Sequence, residues 1–328
     1  MNKLKDSFGR VHDYLRISLT DVCNFRCQYC IPDENVRFMP SSRLMKSDEI
    51  DAIAGEFVKM GVNKIRLTGG EPLVRKDAKE ILLSLSKYPV ELTLTTNGSA
   101  VNAFISVFKE AGINSINVSL DTLNKEKFLE ITRRNDFDKV FTNIQSLIDE
   151  GFHVKVNAVI MRGVNDGEIP DFIEWTKTQP VHVRFIEFMP FAGNQWNTEK
   201  VFSYPEMLDV ISDKYGFIRM KDDANATAKK FKPYDHEGTF AVISTMSEPF
   251  CGNCNRMRLT ADGKMKNCLF SKGEADILSA LRNGEDIVPI IEQCLAVKAE
   301  ALGGQFEGDY HKIDTSKISN RSMIEIGG

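Results

Sequence analysis

Six short runs with β-strand character recur along the first 190 residues, and helix-like stretches separate them. They are YLRISL (14–19), KIRLTGG (64–70), ELTLTTNG (91–98), INVSLD (116–121), VKVNAVI (154–160) and VRFIEFM (183–189). Between the first two lies SDEIDAIAGEFVKM (47–60), where Ser47 is placed to cap a helix and acids follow in its first turn. Strands alternating with helices make βαβ units, which build a parallel sheet. Eight units close a barrel, so six predict an α/β fold of the incomplete (βα)6 TIM-like type. The rhythm stops near residue 190. The expected organisation is a partial barrel over 1–190 and a C-terminal extension over 191–328.

The strands carry a second constraint, because side chains alternate faces along a strand. Leu15, Ile17 and Leu19 share one face, and Arg16, Ser18 and Thr20 the other. Ile65 and Leu67 oppose Lys64, Arg66 and Thr68; Leu92 and Leu94 oppose Thr93, Thr95 and Asn97. Ile116, Val118 and Leu120 oppose Asn117, Ser119 and Asp121, and Val154 and Val156 oppose Lys155 and Asn157. In a barrel wrapped by helices the apolar face lies under the helices, so the polar face points inward. That interior would hold Arg16, Lys64, Arg66, Lys155 and Arg184. Buried cations without partners cost several kcal/mol each, so the cavity is expected to hold an anion, water or both. An antiparallel sheet with one solvated face shows the same alternation, but the intervening helices argue against it.

Three cysteines, Cys23, Cys27 and Cys30, follow the first strand with C-x3-C-x2-C spacing, and Cys251, Cys254 and Cys268 form a second group. Three is too few for a closed zinc cage, which takes four ligands. Thiolates suit iron–sulfur clusters and zinc alike, and three can hold a 4Fe–4S cube while leaving one iron open. The first group would sit at the C-terminal mouth of the barrel, where active sites gather. Seven cysteines with six in two tight groups point to metal ligation in a reducing compartment rather than to disulfides. No apolar run approaches a membrane span, and the first residues lack the apolar core of a signal peptide, so the expectation is a cytoplasmic protein. A net charge of −4 gives no general pull toward nucleic acid or membrane.

CNFRCQYC resembles the cysteine signature of the radical S-adenosylmethionine (radical SAM) superfamily, TGGEP (68–72) resembles its GGEP stretch, and SLD (119–121) resembles its ribose-contacting strand. The second cysteine group with NRMRLTADGK, together with LTTNG, NVSLDTL, VKVNAV, RFIEFMP and the terminal Gly327–Gly328, resembles the molybdenum cofactor biosynthesis protein A family, the GTP 3′,8-cyclases. The resemblance implies two 4Fe–4S clusters and S-adenosyl-L-methionine as cofactors. Cys23, Cys27 and Cys30 would hold the cluster that cleaves SAM; Cys251, Cys254 and Cys268 would hold a second, whose open iron binds the purine of GTP.

It further implies a radical SAM lyase that converts GTP to (8S)-3′,8-cyclo-7,8-dihydroguanosine 5′-triphosphate, the first step of molybdenum cofactor synthesis. Tyr29, Gly70, Ser119 and Met189 would contact SAM. Arg16, Arg66, Thr95, Lys155, Arg256 and Arg258 would contact GTP, with Lys64 and Arg184 as further members of the basic patch. Arg16, Gly327 and Gly328 join the first three cysteines as catalytic candidates, the glycines because they can thread into a narrow site. Implied partners are a flavodoxin-like or ferredoxin-like electron donor and a downstream cyclic pyranopterin monophosphate synthase, in a monomer or homodimer. The alternative is a radical SAM enzyme that modifies a peptide. Cys294 reads as core, and 221–232 reads as a solvated loop.

Overall fold

The structure, a computed structural model, describes residues 3–33, 35–306 and 308–327. Each β-like run forms a strand close to where its pattern places it: β1 Tyr14–Ser18, β2 Lys64–Thr68, β3 Glu91–Thr96, β4 Ser115–Ser119, β5 His153–Ile160 and β6 His182–Glu187. Several runs overshoot at their C-terminal ends, because Gly69, Gly70, Asn97 and Asp121 leave the sheet to build the loops above it. These six strands pair in parallel, in chain order. Helices such as Ser47–Lys59, Ala78–Leu85, Phe137–Asp149 and Ile169–Trp175 make the crossovers. Ser47 is the first helical residue rather than the cap. The Lys46 N–H donates to the Glu49 carboxylate at 2.7 Å, and the Ser47 hydroxyl turns to Glu80 at 3.0 Å.

The C-terminal part does not stand apart from the barrel. It supplies β7 Phe217–Arg219, β8 Lys229–Pro233, β9 Thr239–Ile243, β10 Arg256–Leu259, β11 Lys264–Lys266 and β12 Ala275–Asp276. All enter the same sheet, in the order β12-β11-β10-β1-β2-β3-β4-β5-β6-β9-β8-β7. β9 runs parallel to β6 and β10 parallel to β1, whereas β7, β8, β11 and β12 are antiparallel additions. Six parallel strands thus gain a seventh and an eighth at opposite edges, and the sheet stays open. The stretch 221–232 is a loop, exposed at Lys221 and Asp223 to Asn225, only as far as residue 228: its last residues enter β8, and Asp223 to Ala228 also wall the central cavity.

The outward faces are as the alternation predicts. Leu15, Ile17, Ile65, Leu67, Leu94, Val118, Val154, Val156, Val183 and Phe185 are fully buried beneath the helices. Burial of each such side chain favours folding by about 1.5–3 kcal/mol. A second apolar cluster at the C-terminal ends of the strands joins Phe188, Phe191, Trp196, Met246, Phe270 and Ile326, with Tyr29, Met189, Cys251 and Cys268 packed against it. Cys294 is core, as its apolar helical pattern predicts, in the helix Val288–Ala296. No helix among the described residues is long and apolar enough to cross a membrane.

Candidate active site

The inward residues surround a cavity of about 780 Å³. Parallel pairing sets Arg258, Arg16 and Arg66 abreast on β10, β1 and β2, and Arg256, Tyr14 and Lys64 abreast one pleat below. Lys155 and Arg184 reach the same space from β5 and β6, with Arg184 Nε donating to Asn157 Oδ1 at 2.8 Å. Like charges abreast repel, and burial adds to the cost of each. Burial and Arg256 pull Arg258 down to about 10; burial and Arg66 pull Arg184 to about 9; burial and Arg184 pull Lys155 to about 8. Arg16 is lowered well below its ordinary value by burial and Arg258. Burial alone would raise Tyr14, yet Arg66 and Arg16 bring it to about 8.

Lys64 is paired, with both Glu91 oxygens at 2.8 Å. Among the described residues no carboxylate lies within ion-pair distance of Arg66, Lys155, Arg184, Arg256 or Arg258. Arg258 is 7% exposed, and its Nη1 has no hydrogen-bond partner among the described residues. The chemistry of this wall is that of a polyanion site. Thr95 is not among the cavity lining and meets the wall only by accepting from Arg66 Nη1 at 3.4 Å. Cys251, Cys254, Cys268 and Met189 line the same cavity. Burial would raise the Cys254 thiol, but Arg256 and Lys298 bring it down to about 7.

The first cysteine loop lies above, where the chain leaves β1. Gly70 N–H donates to Thr20 O at 2.7 Å and Glu71 N–H to Val22 O at 2.9 Å. A side chain at Gly70 would place its Cβ 2.6 Å from the carbonyl oxygens of Asp21 and Val22. Gly70→Ala is therefore expected to push the loop off its seat, at about 1–3 kcal/mol. The iron content of the reconstituted protein should fall toward half, and an unchanged content would refute the seat.

Glu71 is fully buried and accepts from Leu73 N, Thr96 Oγ1 and Asn97 N. Asn97 Nδ2 in turn holds Asn24 Oδ1 at 2.8 Å and lies 3.9 Å from Cys23 Sγ. Glu71 thus props the loop that carries the cysteines. Burial raises it to about 7 against those three donors. The folded protein therefore holds this proton more tightly than the unfolded chain, so its contribution is present at low pH and lost as pH rises from about 4.5 to 7. Glu71→Gln does not titrate. The stability advantage of the parent over this variant should shrink across that interval by about 3 kcal/mol, measured by urea unfolding of the cluster-free protein. A constant difference would contradict the buried acid.

Burial and Glu71 push Cys23 up to about 11, burial and Cys23 push Cys30 up to about 12, and burial and Asp121 raise Cys27 well above its ordinary value. These thiols give up their protons only to strong positive charge, which a metal centre supplies. Among the described residues no three His, Cys, Asp or Glu side chains converge as around one ion. A 4Fe–4S cube is wider than an ion, and two sets of three partly buried thiols fit it with one iron left open. Tyr29 Oη donates to Asp121 Oδ2 at 2.9 Å, pinning the loop to the end of β4.

The C-terminal tail returns to the ends of β1 and β2. Asn320 and Arg321 anchor it, the latter on Asp262 at 2.9 Å and Glu274 at 2.6 Å. The helix Met323–Ile326 buries Ile324 and Ile326. Gly327 then lies at φ 85°, where a Cβ would meet Ser18 Cβ and Thr68 Oγ1 at 2.8 Å. Gly328 lies outside the described residues.

Of the residues expected to hold nucleotide, the structure brings Arg16, Lys64, Arg66, Lys155, Arg184, Arg256 and Arg258 to one cavity. Tyr29, Gly70, Ser119 and the first cysteines are not among its lining; they belong to the loops and strand ends above. Asn117, His153, His182 and the segment 223–228 also line it, although their sequence context does not mark them as site residues. The strand alternation could have found the first three. The segment carries no such signal.

The sequence pattern of the Radical SAM superfamily matches residues 17–176, and that of Molybdenum Cofactor Synthesis C matches residues 181–303. The chain is 48% identical to the mitochondrial GTP 3′,8-cyclase of Arabidopsis thaliana, over 99% of this chain and 83% of that one. It is 38% identical to the GTP 3′,8-cyclase of Rhodopirellula baltica, over 99% and 92%. With the human molybdenum cofactor biosynthesis protein 1 it shares 44% identity, and it spans about half of that longer protein, 51%. Streptococcus suis SuiB bound to S-adenosylmethionine shares the fold, at TM-score 0.63 and 14% identity over 88% of this chain and 68% of that one. With two such relatives matched over most of their length, the chain belongs to the GTP 3′,8-cyclase family of the radical SAM superfamily.

Proposed function

We propose that this chain converts GTP to (8S)-3′,8-cyclo-7,8-dihydroguanosine 5′-triphosphate, the opening reaction of molybdenum cofactor synthesis. The observation that carries the reading is the buried row Arg258–Arg16–Arg66, which faces a cavity that also contains the second cysteine group. Its outer members, Arg258 and Arg66, have no carboxylate partner among the described residues. With a cluster on Cys23, Cys27 and Cys30 and SAM beside it, the pair supplies a carbon radical able to take the 3′ hydrogen of the ribose.

The chain's own residues do the rest. Arg16, Arg66, Lys155, Arg256 and Arg258, with Lys64, Thr95 and Arg184, hold the triphosphate and fix the ribose. Guanidinium groups suit this task because they pair bidentately with phosphate oxygens. Cys251, Cys254 and Cys268 would hold the second cluster, whose open iron would take the base. Tyr29, Gly70, Ser119 and Met189 frame SAM, and the tail that ends in Gly328 brings Gly327 to the gap between the two ligands. Enclosure keeps water and stray hydrogen donors from the radical. The boundary between barrel and extension falls at 190/191, although both share one sheet. A flavodoxin-like or ferredoxin-like donor supplies electrons, the product passes to a cyclic pyranopterin monophosphate synthase, and the protein works in the cytoplasm.

A calorimetric titration of the anaerobic, two-cluster protein tests the binding half. GTP should bind at least about tenfold more tightly than ATP, and guanosine without phosphates should lose most of the affinity. Equal binding of GTP and guanosine would refute the assignment of the cationic wall. SuiB also has a structure bound to its precursor peptide, but at 14% identity that likeness concerns the fold alone. A wall of clustered cations gives a peptide substrate nothing to pair with unless it is strongly acidic.

A further inference from the structure

Lys298 stands behind the second cysteine group, outside the cavity lining, and is 4% exposed. Its Nζ lies 3.6 Å from Cys254 Sγ and donates to the carbonyl oxygens of Arg256 at 3.3 Å and Asn267 at 2.5 Å. An ammonium has three donors, and these three acceptors take them. Among the described residues no carboxylate lies within ion-pair distance of Lys298. Asp6, the acid of this layer, is held by Arg10 at 2.6 Å and His12 at 3.0 Å. Burial and the charge of Lys298 push His12 down to about 4, so the imidazole stays neutral and adds no cation of its own.

A buried ammonium with no carboxylate is costly unless another anion faces it. Here that anion is the thiolate group. An oxidised 4Fe–4S cube on three thiolates carries one net negative charge, which one ammonium matches. The two carbonyls place Lys298 mechanically as well: Arg256 follows Cys254 by two residues, and Asn267 precedes Cys268. One side chain therefore ties together both segments that present the ligands. The charge and the hydrogen bonds around cluster sulfurs are among the main determinants of reduction potential.

We propose that Lys298 is a positioning residue for the second cluster, neutralising its net charge through Cys254 and holding its reduction potential up. The inference rests on reading Cys251, Cys254 and Cys268 as a cluster site, and the test separates the two. Iron and sulfide are measured first in the parent chain; a single cluster there refutes the site itself, and the proposal with it. With two clusters present, each is followed in an anaerobic redox titration by electron paramagnetic resonance, without SAM or GTP. In Lys298→Met the reduction equilibrium of the second cluster should shift at least tenfold toward the oxidised form, about 59 mV for one electron. The first cluster should not move. A loaded second cluster with the parent's potential overturns the proposal. If Lys298→Met loads no second cluster, Lys298→Arg decides. A cluster regained near the parent's potential supports the charge, and a cluster absent from both variants assigns Lys298 to packing and overturns it.

Discussion

Removal of Gly327 and Gly328 is expected to abolish GTP turnover while leaving the iron content and both clusters intact. Ser18 and Thr68 lie two residues beyond Arg16 and Arg66 on the same inward faces, so Gly327 sits about 7 Å above the arginine row. Just beyond, Gly70 and Glu71 grip the start of the first cysteine loop. On the proposed reading, the tail would stand at the level where a hydrogen atom passes from ribose to the SAM-derived carbon. It holds no iron ligand, and its anchors, Asn320 and Arg321, remain after the deletion. The finer test is Gly327→Ala. The left-handed φ and the two contacts at 2.8 Å leave no room for a methyl group. A displacement near 1 Å in a reacting geometry costs about a hundredfold in rate, and that loss is expected here with unchanged iron. Full activity in either variant would assign the tail to packing alone.

Replacing Arg258 by Met should have opposite effects on stability and binding. The guanidinium is buried, its Nη1 has no partner among the described residues, and it stands abreast of Arg16. Removing such a charge for an apolar side chain of similar length is expected to stabilise the nucleotide-free protein by roughly 1–4 kcal/mol. On the proposed reading the same change would remove a charge-assisted contact to phosphate, worth about 1.5–3 kcal/mol, or roughly ten- to a hundredfold in the dissociation constant for GTP. SAM binding should not change. Thermal unfolding and calorimetry read the two effects separately. A destabilised variant with unaltered GTP affinity would show that Arg258 is a structural residue.

The alternation of apolar and basic residues makes the cavity wall legible in the sequence, because strand geometry fixes which side chains share a face. Parity alone places Arg16, Lys64, Arg66, Lys155 and Arg184 inward, and all line the cavity. The edges of the sheet are not legible in this way. β10 is short and pairs with β1, a whole barrel away in the chain, and β9 reaches β6 only after the helix Tyr204–Ser212 and the β7–β8 hairpin have intervened. No local pattern encodes such pairing. The same holds for Asp223 to Ala228, polar and small in composition, which become a wall only because β8 beside them joins the sheet. The buried roles of Glu71, within TGGEP, and of Lys298 escape notice for another reason. Their roles come from burial against loops and thiols, and a charged residue in a sequence reads as exposed until its surroundings are known.

The most direct test is an anaerobic reaction of the reconstituted protein with dithionite, SAM and each nucleoside triphosphate in turn, with 5′-deoxyadenosine and nucleotide products followed by mass spectrometry. A GTP 3′,8-cyclase forms 5′-deoxyadenosine with GTP and with no other nucleotide, in step with a non-aromatic isomer of GTP. Formation of 5′-deoxyadenosine at the same rate with and without nucleotide, and GTP recovered unchanged, would contradict that activity.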